Sequence, residues 1–280
     1  SGEVDVIVGS HTSAVRVALR RHIAGRIPYI YTTVYEGGER TPGVIAIGET
    51  PLTQSRPAIH WMAEVKKASR WYLIGSDYVW PWLSHQSMKR YVTESGGQVV
   101  GEEFVPVGED DYGAHLARIR KARPDVVLVS LIGGDSIAFN RQFAEQGLAP
   151  KVLRLASAFD ETVLLGIGPD NTENLFCASG YFNCARSGDT EAFVSRYEAA
   201  FGSSAAPAGS VGQSNYEGLQ FLAEAARRAG SVALKPLLAA GRNIVYRGGR
   251  GPIALQQGHA AMPIYLAEAE GIEFRVVETF

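Results

Sequence analysis

Short apolar runs of strand length alternate with helix-periodic segments along nearly the whole chain, and this alternation restricts the fold more than any other feature. Runs rich in β-branched residues occupy positions 4–8, 28–31, 44–47, 71–74, 99–105, 126–131, 152–155 and 175–178. Between them, Val15, Leu19 and Ile23 recur on one helical face, as do Leu116 with Ile119, Ile137 with Phe139 and Phe143, and Phe193 with Tyr197 and Phe201. Strands separated by helices predict a doubly wound α/β fold, a mostly parallel sheet covered on both faces. Val126-Val127-Leu128-Val129 is apolar at every position, as a central strand buried on both sides requires. A last group of runs, at 253–255, 262–267 and 273–277, reads as a terminal β ribbon opened by Gly248-Gly249-Arg250-Gly251-Pro252.

The charge balance, 27 basic against 29 acidic residues in 280, leaves no broad field for a polyanion, so nucleic acid is not an expected partner. No run of about 18 apolar residues suggests a membrane span. Cys177 and Cys184, six residues apart, could pair or stay free. The six histidines show no metal-ligand spacing, and neither a G-x-G-x-x-G turn after a strand, a P-loop, a G-x-S-x-G elbow nor an H-E-x-x-H motif is present. The expectation is therefore a binding protein without catalytic residues, metal or cofactor.

Three loops carry the candidate binding groups, each at the C-terminal end of a strand, where open α/β sheets place ligands. In Gly9-Ser10-His11-Thr12-Ser13 the hydroxyls can cap the following helix, or Ser13 and the helix N–H groups can receive a ligand oxygen. Tyr31, Thr33 and Tyr35 alternate along an extended segment and share a face, either as a polar wall or as core tyrosines. In Gly75-Ser76-Asp77-Tyr78-Val79-Trp80-Pro81 the aromatics either staple a helix start or sandwich a small group. Asp135, after Ile132-Gly133-Gly134, either caps its helix or meets a cationic or N–H-bearing ligand.

Taken together, Val8-Gly9-Ser10-His11-Thr12-Ser13, Tyr31-Thr32-Thr33-Val34-Tyr35-Glu36-Gly37 and Gly75-Ser76-Asp77-Tyr78-Val79-Trp80-Pro81 resemble the type I periplasmic-binding-fold receptors. The narrower likeness is to the branch of amide sensors and of urea, short-chain amide and branched-chain amino acid binding proteins of ABC transporters. Gly133-Gly134-Asp135, Gly180-Tyr181-Phe182 and Gly251-Pro252-Ile253 fit that pattern more loosely.

The resemblance implies two doubly wound lobes with a ligand cleft between them: lobe one at 1–48 and 179–245, lobe two at 49–178 and 246–280. By position, Ser13 and Thr33 would bind the polar head of the ligand, with Tyr31, Tyr35 and His11 lining that wall. Tyr78 and Trp80 would close over it, with Asp135 and Tyr181 as further contacts. His11 stands where the amide sensors have tyrosine, and Trp80 where the branch often has tyrosine. The implied partners are a small amide, urea or amino acid and an ABC permease, with a regulatory protein as the alternative; a homodimer is allowed. Periplasmic or cell-surface location goes with transport, cytoplasmic location with sensing. An enzyme with catalytic residues outside this sequence is the remaining alternative. The family also begins with two further strand–helix units ahead of the segment matching 1–8, so the first lobe and part of its ligand wall are expected to be incomplete here.

Overall fold

The structure, a computed structural model, describes residues 4–23, 25–185, 187–202, 204–256 and 259–280. In chain order its elements are β1 (Ile7–Gly9), α1 (Ser13–Ile23), β2 (Tyr29–Tyr31), β3 (Val44–Ala46), a wide helical turn (Pro51–Ser55), α2 (Arg56–Val65), β4 (Arg70–Ser76), α3 (Val79–Glu94), β5 (Gln98–Val105), α4 (Gly113–Ala122), β6 (Val126–Ser130), α5 (Gly133–Glu145), β7 (Leu153–Ala156), α6 (Glu161–Ile167), a 3-10 turn (Pro169–Asn171), β8 (Leu175–Ser179), α7 (Gly188–Phe201), α8 (Ser210–Ala229), α9 (Leu234–Gly241), β9 (Val245–Gly248), β10 (Gly251–Gln256), β11 (His259–Ala261), β12 (Tyr265–Glu270) and β13 (Glu273–Thr279). They fall into two compact units, Ser1–Thr50 with Ala185–Pro263, and Pro51–Cys184 with Ile264–Phe280.

In the first unit the described strands form one sheet in the order β1-β2-β3-β11-β10-β9. β1, β2, β3 and β11 run parallel, and the β10 and β9 edge is antiparallel. Strand alternation sorts β2 and β3 between two cores. Ile30 and Ile45 meet Phe221, Leu237, Tyr246, Ile253 and Leu255, whereas Tyr29, Tyr31 and Ala46 face Leu19 and Ile23 of α1. Burying one such side chain contributes roughly 2 kcal/mol.

Helix α1 turns differently from its apolar periodicity. Val15 is exposed, and Arg16 is buried in its place, with Leu19 and Ile23 completing the inward stripe. The reason is ionic: Arg16 Nη1 donates to Glu39 Oε2 at 2.5 Å and Nη2 donates to Glu36. A desolvated guanidinium is tolerated because two carboxylates from the loop after β2 meet it.

The second unit has the order β13-β12-β8-β7-β6-β4-β5. β5, β4, β6, β7 and β8 are parallel, and β12 and β13 add antiparallel strands at the β8 edge. The all-apolar run becomes β6, central and buried at all five positions. Helix α4 ends at Arg123, whose left-handed φ of 50° breaks the helix before Pro124. Cys177 is buried, its Sγ donating to the Phe159 carbonyl at 3.4 Å, and Cys184 is exposed.

Two expectations need correction. The terminal ribbon is not one element: β10 and β11 join the first sheet, and β12 and β13 join the second. Residues 246–263, expected in the second lobe, therefore belong to the first unit. Buried Arg250 explains the assignment, since its Nη1 donates to Glu49 Oε1 at 2.6 Å, its Nε donates to Gln213, and its N–H donates to Glu217 Oε2 at 3.2 Å. These bonds pin the β9–β10 hairpin to α8 and to the loop after β3. The chain passes between the units at Thr50/Pro51, Cys184/Ala185 and Pro263/Ile264, against the 48/49, 178/179 and 245/246 implied by the resemblance.

Candidate ligand-binding site

In the first unit the parallel strands β1, β2 and β3 deliver three loops to one edge, at residues 10–12, 32–36 and 47–49. The first helical bond of α1 runs from the Arg16 N–H to the Thr12 carbonyl at 3.0 Å. The N–H groups ahead of it have no intrahelical acceptor, which is the usual basis of an oxygen receptor at a helix start.

Side chains tie these loops together. Ser13, 2% exposed, donates its hydroxyl to Glu36 Oε2 at 2.6 Å. The Tyr31 hydroxyl donates to the His11 carbonyl at 2.6 Å, His11 Nε2 meets the Tyr29 hydroxyl at 2.5 Å, and the Tyr35 hydroxyl meets His259 Nδ1 at 2.8 Å. Burial lowers the His11 pKa and favours its neutral form, and it pushes the Tyr31 phenol up to about 12. The Arg16 guanidinium lies over the Tyr31 and Tyr35 rings, 5.3 and 4.9 Å from their centroids.

Tyr31 and Tyr35 are thus both buried and tied by their hydroxyls to neighbouring groups. Thr33 differs: it is partly exposed, and its hydroxyl has no partner among the described residues. Its carbonyl is crowded by Gly48, where a Cβ would lie only 1.8 Å from the oxygen.

The second unit holds the other four residues in separate local settings. Tyr78 is partly exposed at the cap of α3, and Trp80 is 2% exposed inside its first turn, with ring centroids 6.2 Å apart. Asp135, 8% exposed in the first turn of α5, accepts the Gly108 N–H at 3.0 Å and so holds the loop after β5. Tyr181 is buried, and its N–H donates to Ser179 Oγ at 3.3 Å.

The sequence reading passed over the polar residues that hold the first-unit loops in place. Asn215 of α8 donates to Ser10 Oγ at 2.8 Å and accepts from the Thr32 hydroxyl at 3.2 Å. The polar triplet Gln213-Ser214-Asn215 in an otherwise amphipathic helix is the only trace of this role in the sequence. A surface groove of about 460 Å³ on the same unit lies elsewhere, along the C-terminal half of α8 and β9, between Gln220, Glu224, Arg228 and Val245.

His85, the most buried imidazole, faces Glu102 at 3.2 Å, and Glu102 is held at about 2 chiefly by that hydrogen bond. His85, within α3, stacks on the Phe104 ring with its pKa lowered by burial, while the Glu102 side chain is 24% exposed and also meets Lys89 Nζ at 2.7 Å. Among the described residues, no three His, Cys, Asp or Glu side chains converge on a point that could hold a metal.

Solved structures share this architecture. A periplasmic binding protein from Burkholderia mallei matches with a TM-score of 0.90 at 17% identity, over 100% of this chain and 77% of its own. A solute-binding protein of an ABC transporter from Rhodopseudomonas palustris HaA2, solved with p-hydroxybenzoic acid, matches at 0.89 and 19%, over 99% and 78%. A leucine-binding protein from Thermotoga maritima matches at 0.85 and 18%, over 99% and 80%. At such identities the likeness speaks for the fold. The sequence itself matches the family model for periplasmic binding proteins over residues 1–272, nearly its whole length, and the chain belongs to that family.

Proposed function

We propose that this chain is the solute receptor of an ABC transporter, a binding protein rather than an enzyme, which captures a small amide, urea or amino-acid-like solute in the periplasm or at the cell surface and passes it to a permease. Family membership supports the receptor role, and the named ligands of similar folds, p-hydroxybenzoic acid and leucine, are likewise small solutes with a polar head.

The observation that carries the reading is the first-unit loop cluster. Its tyrosine hydroxyls and its carboxylates are met by neighbouring groups, while Thr33 keeps an open hydroxyl in the loop that Glu36 ties to the start of α1. Ser13 spends its proton on Glu36, so toward a solute its oxygen is an acceptor, suited to an N–H group. A head group carrying both N–H donors and a carbonyl oxygen answers that arrangement. In the second unit, Tyr78 and Trp80 are the proposed aromatic contacts, with Asp135 and Tyr181 as further candidates.

The test is a thermal-shift and calorimetric screen against acetamide, butyramide, formamide, urea, leucine and 4-hydroxybenzoate, because a ligand that binds only the native state raises Tm. A shift with an amide, urea or leucine, and recovery of that solute unchanged, is the expected result. A shift with 4-hydroxybenzoate alone would overturn the solute class and keep the receptor. Turnover of a bound solute would overturn the receptor reading.

A further inference from the structure

The Asn215 amide has only one orientation that satisfies its surroundings. One end lies 3.0 Å from the Val211 carbonyl, which can only accept, so that end is the nitrogen. The same nitrogen donates to Ser10 Oγ at 2.8 Å, and the oxygen at the other end accepts the Thr32 hydroxyl at 3.2 Å. Gly218, less than a turn further along α8, permits this approach: a Cβ there would stand 2.5 Å from Thr32 Cγ2 and 2.9 Å from Val8 Cγ1.

A direction follows for the whole relay. Thr32 gives its proton to Asn215, and Asn215 gives a proton to Ser10. Ser10 is therefore an acceptor on that side, and its own single proton is left over. No described residue takes it, and Ser10 is partly exposed, directly after β1 in the loop that leads to Ser13.

We propose that Asn215 is a specificity-determining residue, which fixes Ser10 as a hydrogen-bond donor toward an acceptor oxygen of the solute, a carbonyl or a carboxylate. This rests on the solute-receptor reading above. With the Ser13 oxygen left as an acceptor by its bond to Glu36, the loop would then read both halves of an amide or amino-acid head.

The decisive variants are Ser10→Ala, which removes the donor, and Asn215→Asp, which offers Ser10 an anionic acceptor and so recaptures its proton inside the protein. Titration calorimetry with acetamide, leucine and 4-hydroxybenzoate is expected to show Kd raised about tenfold by either change for whichever of these the wild type binds. The double variant should lose no more than the larger single loss, because both act on one bond. Ser10→Thr, which keeps the hydroxyl, should restore binding to within about threefold, a rescue that a purely structural role for the position would not produce. Unchanged Kd in Ser10→Ala with a binding wild type overturns this assignment and leaves the receptor reading intact. A wild-type chain that binds neither these three nor the butyramide, formamide and urea of the screen above overturns both. Should Asn215→Asp fail to fold, the Ser10→Ala and Ser10→Thr pair decides alone.

Discussion

Glu161 accepts the backbone N–H of Asn183 at 2.7 Å through Oε1, while its second carboxylate oxygen is buried with no hydrogen-bond partner among the described residues. The side chain opens α6 and is 4% exposed. Burial pushes its carboxyl from an ordinary 4.5 up to about 7, and the negative charges of Asp160 and Glu273 add to the shift. A folded value above the unfolded one means that the native state binds this proton more tightly. The stabilisation is therefore complete below about pH 4.5 and is lost as pH rises through about 7. Glu161→Gln keeps an acceptor for Asn183 and removes the titration, so its stability should fall less between pH 5 and 8, by on the order of 3 kcal/mol. Melting curves across that range check the slope, and a variant as pH-sensitive as the wild type would refute the attribution.

Arg16 lies between Glu36 and Glu39 with all three side chains at least nine-tenths buried. Arg16→Met should leave the desolvated Glu36 carboxylate without a cation, and Glu39 with Arg20 as its remaining cation at 3.0 Å, and cost about 3 kcal/mol. Adding Glu36→Gln and Glu39→Gln removes that charge, and the triple variant should regain most of the loss. Urea unfolding of the single and triple variants measures both; equal midpoints in the two would show that packing over Tyr31 and Tyr35, rather than charge, dominates.

The division between what was and was not legible in the sequence follows the range of the forces involved. β6 could be read because four apolar residues in a row leave no other comfortable place than a central strand, and the alternation of strands with helices gave the doubly wound class. Arg16 could not be read, because a basic residue on a helix registers as solvated until its carboxylate partners, more than a turn of chain away in the loop after β2, are seen to close on it. The β9–β10 hairpin was assigned to the wrong unit for the same reason: the Arg250–Glu49 pair that anchors it joins residues from opposite ends of the chain. At the candidate site, the loop positions followed from strand ends, but the roles of the hydroxyls depended on partners. Tyr31 and Tyr35 stayed ambiguous between wall and core until the bonds to the His11 carbonyl and to His259 were visible.

Gly48 is required by a close approach rather than by a turn. A Cβ there would lie 1.8 Å from the Thr33 carbonyl oxygen and 2.9 Å from the Val34 nitrogen, both of them backbone atoms that cannot rotate aside. Gly48→Ala must displace the Thr33 loop, at a cost of about 1–3 kcal/mol. Because Thr33 is a proposed solute contact, the folded fraction of this variant should also bind more weakly, which calorimetry on the variant would reveal. Wild-type affinity together with wild-type stability would mean that the loop can move without consequence.

Tyr31 and Thr33 share one segment but are predicted to fail in opposite ways. Tyr31 is 1% exposed, and its hydroxyl is committed to the His11 carbonyl at 2.6 Å, so Tyr31→Phe leaves a carbonyl short of its donor. The expected result is a stability loss of about 1 kcal/mol, with solute affinity reduced less than threefold. The Thr33 hydroxyl has no partner to lose within the described residues, so Thr33→Ala should change stability by less than about 0.5 kcal/mol. Its affinity for the identified solute should nonetheless fall about tenfold, the worth of one well-placed hydrogen bond. Paired melting and binding measurements on the two variants separate scaffold from contact. Should Tyr31→Phe lose affinity at unchanged Tm while Thr33→Ala binds normally, the roles would be exchanged: the tyrosine would touch the solute, and the threonine would be spectator surface.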